Sequence, residues 1–65
     1  MTGVIVTCKN NCGVITLNDP SIHNALKKND IKIIREALFK WRNQGLDAII
    51  ITGTGKSFCS GLYLE

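Results

Sequence analysis

Residues 47–61 read DAIIITGTGKSFCSG, an apolar run that leads into glycines and small polar residues. The run from Ala48 to Ile51 is apolar at consecutive positions, which is typical of a strand covered on both faces, as in a parallel sheet. We predict a strand over residues 47–52, then a tight Gly-Thr-Gly turn, a short return from Lys56 to Ser60, and a further glycine at Gly61. That glycine either lets the backbone come close to a ligand and expose a main-chain N–H, or relieves steric crowding in a turn.

The letters GKS at residues 55–57 match the end of a phosphate-binding P-loop, whose pattern is G-x-x-x-x-G-K-[ST]. In that motif the spacing wraps successive backbone N–H groups around the phosphates before a helix begins. The first glycine of the pattern would stand at Ile50, in the middle of the predicted strand, where it cannot make the turn. Gly61 also interrupts the segment where the helix should start. Nucleotide binding through Lys56 therefore has the weakest support of the candidate functions.

Two β-branched segments near the start of the chain predict a β-hairpin. They are Gly3 to Cys8 (GVIVTC) and Gly13 to Leu17 (GVITL), with Asn10-Asn11 between them, and asparagine tolerates positive φ. Cys12 is then expected in the turn, as filler beside a glycine. The turn formers at residues 18–21 (NDPS) should end the second strand, because proline fixes φ and removes a hydrogen-bond donor.

An amphipathic helix is predicted over residues 27–44. Asn29 or Asp30 supplies acceptors near its start, and Gly45 provides a stop. We interpret Phe39, like Trp41, as a packing residue. The apolar stripe recurs at steps of three and four residues: Ile31, Ile34, Ala37, Leu38 and Trp41.

The size of the chain limits what it can build alone. Its 65 residues make one domain at most, and a chain of this size buries only about 60% of the surface that its unfolded form exposes. The composition, 45% hydrophobic and 20% charged, is that of an ordinary globular protein. One helix can cover only one face of a three-stranded sheet, so another chain or a missing continuation must cover the other face.

The net charge of +3 comes from eight basic and five acidic residues scattered along the chain. This mild bias does not form the basic stripe of a nucleic-acid-binding protein, and we expect no nucleic-acid partner. No apolar stretch approaches the length of about 20 residues that a membrane span requires, so no membrane partner is expected either.

The three cysteines, Cys8, Cys12 and Cys59, are an odd number, and nothing resembling a secretory signal precedes them. Reduced thiols and a cytoplasmic location are therefore the expectation. A zinc site needs about four ligands, and only Cys59 and His23 remain to complete one begun by Cys8 and Cys12. We predict no metal site.

The segments from Val14 to Leu26 (VITLNDPSIHNAL) and from Ala48 to Gly61 (AIIITGTGKSFCSG) resemble the start of the crotonase superfamily, the enoyl-CoA hydratase/isomerase proteins. The resemblance covers nearly the whole chain in collinear order. It implies an α/β chain that corresponds to the N-terminal ββαβ unit of a crotonase-like (ClpP/crotonase) spiral fold. Residues 1–65 are then a single segment, incomplete, and a fragment of a longer domain.

Two positions depart from the pattern of that family. Asp19 stands where the family often has arginine. Residues 62–64 read LYL, where many members have a small residue, then aspartate, then an aliphatic residue. The aromatic residue is closer to variants found in some aroyl-CoA members.

The resemblance also implies chemistry on acyl-CoA thioesters, in which two backbone N–H groups polarise the thioester carbonyl and stabilise an enolate. By matching position, the Leu62 N–H would be the first donor and the catalytic group of this chain. The second donor would come from a glycine-rich segment further along, and general acids and bases from later helices. No cofactor is implied beyond the coenzyme A of the substrate, and the family forms homo-oligomers, trimers or hexamers.

Further substrate contacts follow from the same resemblance. The stretch from Ser21 to Leu26 would lie along the CoA moiety, mostly through its backbone, and the end of the chain would line the acyl group. The resulting candidate binding residues are Ser21, His23, Ala25, Ser60, Gly61, Tyr63 and Leu64. His23 is the only histidine, and we interpret it as exposed or packed, not as catalytic. Glu65 has no clear counterpart among the catalytic carboxylates of the family.

The expected function is that of an acyl-CoA enzyme of the enoyl-CoA hydratase/isomerase type, with no appreciable turnover by the 65-residue chain alone. An alternative is a small interaction module that associates with itself through the uncovered face of its sheet. Nucleotide binding through the GKS letters is the third hypothesis.

Overall fold

The computed structural model describes residues 3–64. Three strands and one α-helix follow one another as β1 (Val4–Lys9), β2 (Cys12–Leu17), α1 (Lys28–Trp41) and β3 (Ala48–Gly53), with a 3₁₀ turn at Pro20–Ile22. The strands form one sheet in the order β1-β2-β3. The order of elements is the predicted ββαβ, and the bounds of the strands differ from the prediction by one residue at most ends.

The hairpin closes through a two-residue turn. Asn10 and Asn11 have φ of 53° and 60°, and two successive residues in the left-handed region define the turn whose twist matches that of antiparallel strands. The prediction that Cys12 lies in this turn is wrong. Cys12 is the first residue of β2 and pairs with Lys9, because the two asparagines complete the turn without a third residue.

β2 pairs with β3 in parallel, with Cys12 opposite Ala48 and Leu17 opposite Gly53. A parallel pair needs a crossover connection, and α1 provides it. The parallel partner inferred from the consecutive apolar residues of β3 is therefore confirmed. Both strands end at the same edge of the sheet, so the segments that follow Leu17 and Gly53 start side by side.

The apolar core lies between α1 and the face of the sheet built by β1 and β2. Ile15 is fully buried there beside Val4, Leu17, Ala37 and Trp41. A Cβ at Gly13 would stand 2.7 Å from the Trp41 ring, so the glycine makes room for the indole. Trp41 is a packing residue, as predicted.

The helix is shorter than predicted, and its buried stripe is rotated. It ends at Trp41, and the chain turns through residues 42–45, where Gly45 has φ of 62°. At its start, the Asp30 carboxylate accepts a hydrogen bond of 2.9 Å from the Lys27 N–H. Of the two residues predicted to supply an acceptor there, Asn29 and Asp30, the structure shows Asp30. The core-facing residues are Asp30, Ile33, Ile34, Ala37 and Trp41.

Three aromatic or aliphatic residues predicted to pack are exposed. Ile31 and Leu38 are each 37% exposed, because they lie on one flank of the stripe that ends at Trp41. Phe39 is 67% exposed, and the Arg42 guanidinium lies 4.3 Å from the centre of its ring. The prediction was wrong at Ile31 and Leu38 because steps of three and four residues fit two neighbouring stripes of a helix equally well. It was wrong at Phe39 because this residue lies outside the buried stripe.

The sheet is uncovered beyond β2. Every residue of β3 from Ala48 to Thr52 is exposed, including side chains on the same face as α1. The expectation that one helix leaves part of this sheet open is confirmed. Within residues 3–64, no helix is long and apolar enough to cross a membrane.

Candidate functional site

Two segments meet at the edge of the sheet where β2 and β3 end. We call residues 18–27 the connection and residues 54–64 the return loop. The return loop starts against the end of β2, since the Thr54 N–H donates to the Leu17 carbonyl at 2.9 Å. The Thr54 hydroxyl adds a bond of 3.2 Å to Oδ1 of Asn18. The junction of these two segments contains all of the predicted site residues.

The connection has an unusual backbone. His23 and Asn24 both lie in the left-handed region, with φ of 54° and 58°. The Asn24 N–H donates to the Asp19 carbonyl at 2.9 Å, and Asn24 Oδ1 accepts from the Asp19 N–H at 2.8 Å. Two reciprocal bonds between Asp19 and Asn24 thus close the turn that precedes Ala25.

Asn24 also ties the connection to the return loop. Its Nδ2 donates to the carbonyls of Thr54 and Ser57, each at 2.8 Å, and the residue is only 2% exposed. Sequence reasoning placed Asn24 in the connection without assigning it a role. The signal was its position, as a polar residue directly before the apolar pair Ala25-Leu26 in a segment that resembles the family.

Close packing of the return loop depends on Gly53. A Cβ at this position would lie 2.5 Å from the Phe58 carbonyl oxygen and 2.9 Å from Asn24 Nδ2. The backbone of the loop therefore folds back over the end of β3 in a space that only glycine leaves free.

The end of the return loop runs beside Leu26 as a single parallel β-bridge, with Leu62 opposite Leu26. The Leu26 N–H donates to the Gly61 carbonyl at 2.8 Å, and the Tyr63 N–H donates to the Leu26 carbonyl at 2.8 Å. Successive groups of an extended chain point to opposite sides. The N–H of Leu62 is therefore directed away from the connection, and it has no hydrogen-bond partner within residues 3–64.

Gly61 allows this geometry through its backbone conformation. Its φ is 116°, and a Cβ there would meet nothing within 4 Å. Steric crowding, one of the two explanations offered for this glycine, is therefore excluded among the described residues. The positive φ is what requires glycine at this position.

The remaining predicted residues take different places at the junction. The Ser60 hydroxyl donates to the Ile22 carbonyl at 3.2 Å, while the Ser21 hydroxyl turns away to Asp19 at 2.9 Å. His23 is exposed, as interpreted, and its Nδ1 lies 3.2 Å from the Ser57 hydroxyl. Ala25 is buried.

The last residues of the return loop are open to solvent. Leu64 is 90% exposed. Tyr63 is half-exposed, and the Lys27 ammonium lies 5.1 Å from the centre of its ring, within the range of a cation–π contact. Glu65 lies outside the described residues. The junction thus presents the Leu62 N–H, which has no partner within residues 3–64, together with an aromatic ring and a lysine at the exposed end of the return loop.

The P-loop geometry is absent from the described part of this segment. Ile50 lies in the middle of β3, where the motif needs its first glycine. The Thr54 N–H is already bonded to Leu17, and no helix follows Ser57 up to Leu64. In residues 3–64, no group of three or more histidine, cysteine or carboxylate side chains comes together as a metal site.

The sequence profile of the family described as Enoyl-CoA hydratase/isomerase matches residues 7–65, so the chain belongs to this family, part of the crotonase superfamily. Two curated relatives have the name 3-hydroxyisobutyryl-CoA hydrolase, mitochondrial. The protein from Danio rerio is 49% identical over 51 residues and that from Rattus norvegicus is 51% identical over 51 residues. Each alignment covers 75% of this chain and 13% of the relative.

Solved structures of the family contain the same fold. The enoyl-CoA hydratase from Rhodobacter sphaeroides matches with a TM-score of 0.90 and 28% identity, over 95% of this chain and 19% of that one. The carnitinyl-CoA hydratase from Mycobacterium avium matches with a TM-score of 0.86 and 33% identity, over 95% and 24%. The predicted crotonase-like ββαβ unit is confirmed, and the chain spans only a small part of these relatives.

Proposed function

We propose that this chain forms the part of an acyl-CoA site that holds the thioester carbonyl, with the Leu62 N–H as hydrogen-bond donor. One observation carries the proposal. The bonds on either side fix Leu62 in place, while its own N–H has no hydrogen-bond partner within residues 3–64. A donor fixed in advance at a developing oxyanion is worth on the order of 3 kcal/mol of transition-state stabilisation.

The backbone of the connection is the proposed contact for coenzyme A. The Ala25 side chain is buried, but its carbonyl accepts no hydrogen bond from residues 3–64. The same holds for the carbonyl of His23. Unpaired carbonyls beside an exposed surface suit a ligand that donates hydrogen bonds, as an adenine amino group does.

The proposed substrate is a short hydroxyacyl-CoA thioester, following the name of the relatives that are about half identical to this chain. In hydrolysis, water adds to the thioester carbon, and the carbonyl oxygen becomes the oxyanion. The C–S bond then breaks to give a carboxylic acid and free coenzyme A. The same donor would serve an enolate in hydration. We assign no second donor, acid or base to residues of this chain, so we expect no turnover from the 65 residues alone.

The test is a ligand titration of the ¹⁵N-labelled chain, with binding monitored through its amide NMR resonances. A ketone analogue of 3-hydroxyisobutyryl-CoA, in which CH₂ replaces the thioester sulfur, should shift the Leu62 amide resonance downfield, and coenzyme A alone should not. Leu62→Pro removes the N–H and should abolish the difference in affinity between the two ligands, measured on the other amide resonances. Leu62→Ala keeps the N–H and should retain it. Equal responses to both ligands in the unmodified chain would contradict the proposal.

Self-association through β3 is the second candidate function. It is favoured by the exposure of Ile49, Ile50 and Ile51, at 43%, 49% and 45%, on a strand with one unpaired edge. Sedimentation over a range of concentrations would test it, with Ile50→Lys as the disrupting variant. A chain that stays folded and monomeric at all concentrations would exclude this function.

A further inference from the structure

We infer that Asn24 is the positioning residue for the Leu62 N–H, and that it fixes this donor relative to the backbone of the connection. The inference rests on the proposed function, since it assigns Asn24 a part in orienting the oxyanion donor. Asn24 does not touch the proposed substrate. Its effect reaches Leu62 through the hydrogen bonds of the junction.

The backbone conformation of the connection depends on Asn24. His23 and Asn24 are consecutive residues in the left-handed region, a conformation that is unfavourable for residues with a Cβ. Asparagine tolerates it better than most residues, and the bonds to Asp19 offset the remaining cost. Without the Asn24 side chain, nothing in the described part of the connection holds the Asp19 N–H in place.

The Asn24 amide forms hydrogen bonds through its oxygen and through both of its N–H groups. Its oxygen accepts one bond, and its nitrogen gives one hydrogen each to the carbonyls of Thr54 and Ser57. Buried polar groups that are hydrogen-bonded in this way make the segments they join more rigid. The amide belongs to no apolar cluster, so its contribution is to the junction and not to the core beneath α1.

Two further contacts connect the turn at Asn24 to the Leu62 N–H. The return loop touches the connection again two residues before Asn24 and two residues after it. Ser60 donates to the Ile22 carbonyl, and Leu26 exchanges bonds with Gly61 and Tyr63. Any change in the turn at Asn24 therefore moves both points that hold Leu62.

The test variant is Asn24→Asp, with Asn18→Asp as its matched control. Aspartate at position 24 keeps an acceptor for the Asp19 N–H but turns an oxygen toward two carbonyls. Asn18 uses only its oxygen, as an acceptor from Thr54, so aspartate there adds the same charge at the same junction and keeps the bond. The readout is amide hydrogen exchange of the 65-residue chain at Tyr63 and at Ile15.

Asn24→Asp should lower the protection of the Tyr63 N–H about tenfold or more, because two hydrogen bonds are lost, and should leave Ile15 in the core protected. Asn18→Asp should change neither. Acidification should restore part of the Tyr63 protection in Asn24→Asp alone, since a protonated carboxyl regains one donor. Burial raises the pKa of such a carboxyl, so recovery should begin above the ordinary value of about 3.9.

Asn24→Ala serves as the uncharged second variant and should show the same selective loss without the recovery on acidification. Unchanged Tyr63 protection in Asn24→Asp would overturn the inference. So would loss of Tyr63 and Ile15 protection together in both variants, since Asn24 would then hold the whole fold. The ketone analogue separates the two proposals: if it fails to shift Leu62 in the unmodified chain, the proposed function fails, and the exchange data still decide whether Asn24 fixes Leu62.

Discussion

The two ends of the central strand are held by different forces. Ile15 and its neighbours are fixed by the exclusion of water beneath α1, with Trp41 packed against Gly13. Beyond Leu17, the connection and the return loop are fixed by hydrogen bonds to backbone groups, with Asn24 at their centre. Apolar contact has no direction, whereas hydrogen bonds set angles. The junction can therefore aim an N–H, and the core can only support it.

The largest effect is expected from breaking the core. Trp41→Ala removes the indole from between α1 and β2, and such changes cost about 3–5 kcal/mol, which a 65-residue chain cannot spare. Circular dichroism should show an unfolded chain at room temperature. The control is Phe39→Ala, on the exposed side of α1, which should melt within a few degrees of the unmodified chain. Equal losses from both would mean that the core is not where we place it.

A smaller effect, confined to the junction, is expected from Gly53→Ala. The new methyl would meet the Phe58 carbonyl at 2.5 Å, and overpacking of this kind costs about 1–3 kcal/mol. The return loop should move away from the connection, which amide exchange at Tyr63 would record as lost protection. Thr52→Ala, one residue earlier on an exposed position, should leave Tyr63 protected. If Gly53→Ala behaves like Thr52→Ala, the return loop does not fold back over β3.

The uncovered strand should contribute little to stability. Ile50→Lys changes an exposed side chain at the sheet edge, and we expect a change in the free energy of unfolding within about 0.5 kcal/mol. Urea unfolding at low concentration would measure it. A loss above about 2 kcal/mol that persists on dilution would show that Ile50 is buried within the single chain.

The smallest effect has the opposite sign. Asn11→Gly should raise stability by a few tenths of a kcal/mol, because the second position of this turn has φ of 60° and favours glycine. Asn29→Gly, at an exposed position in α1, should lower stability by a few tenths of a kcal/mol, because glycine is a weaker helix former than asparagine. Thermal melts of the two variants should therefore move in opposite directions. A destabilising Asn11→Gly would argue against the observed hairpin turn.

Much of the sheet could be predicted from local patterns. β-branched runs, the Asn10-Asn11 turn and the consecutive isoleucines each report on their own backbone, and the structure confirms all three. The orientation of α1 could not be fixed in the same way. Ile31 and Ile34 both fit a helical stripe, and which one faces the core depends on contacts with residues distant in sequence.

The residues of the candidate site also differ in how far the sequence could reveal them. Leu62 was identified through a resemblance to a family, because a backbone N–H leaves no mark on residue type. Asn24 was missed because its partners are carbonyls 30 and 33 residues away, and a carbonyl belongs to every residue. Side-chain identity can reveal a catalytic acid, but it cannot reveal which main-chain groups converge on a buried amide.

The parallel pairing of β2 with β3 also sets an order of assembly. The hairpin joins residues that are close in the sequence. The pairing of Cys12 with Ala48 and that of Leu26 with Leu62 each join residues 36 positions apart. Contacts between distant residues form late, because the loop between them loses entropy before the contact is made. During synthesis, the hairpin and α1 can therefore form before Leu62 is held beside Leu26, so the donor proposed to meet the substrate takes its orientation after both of them.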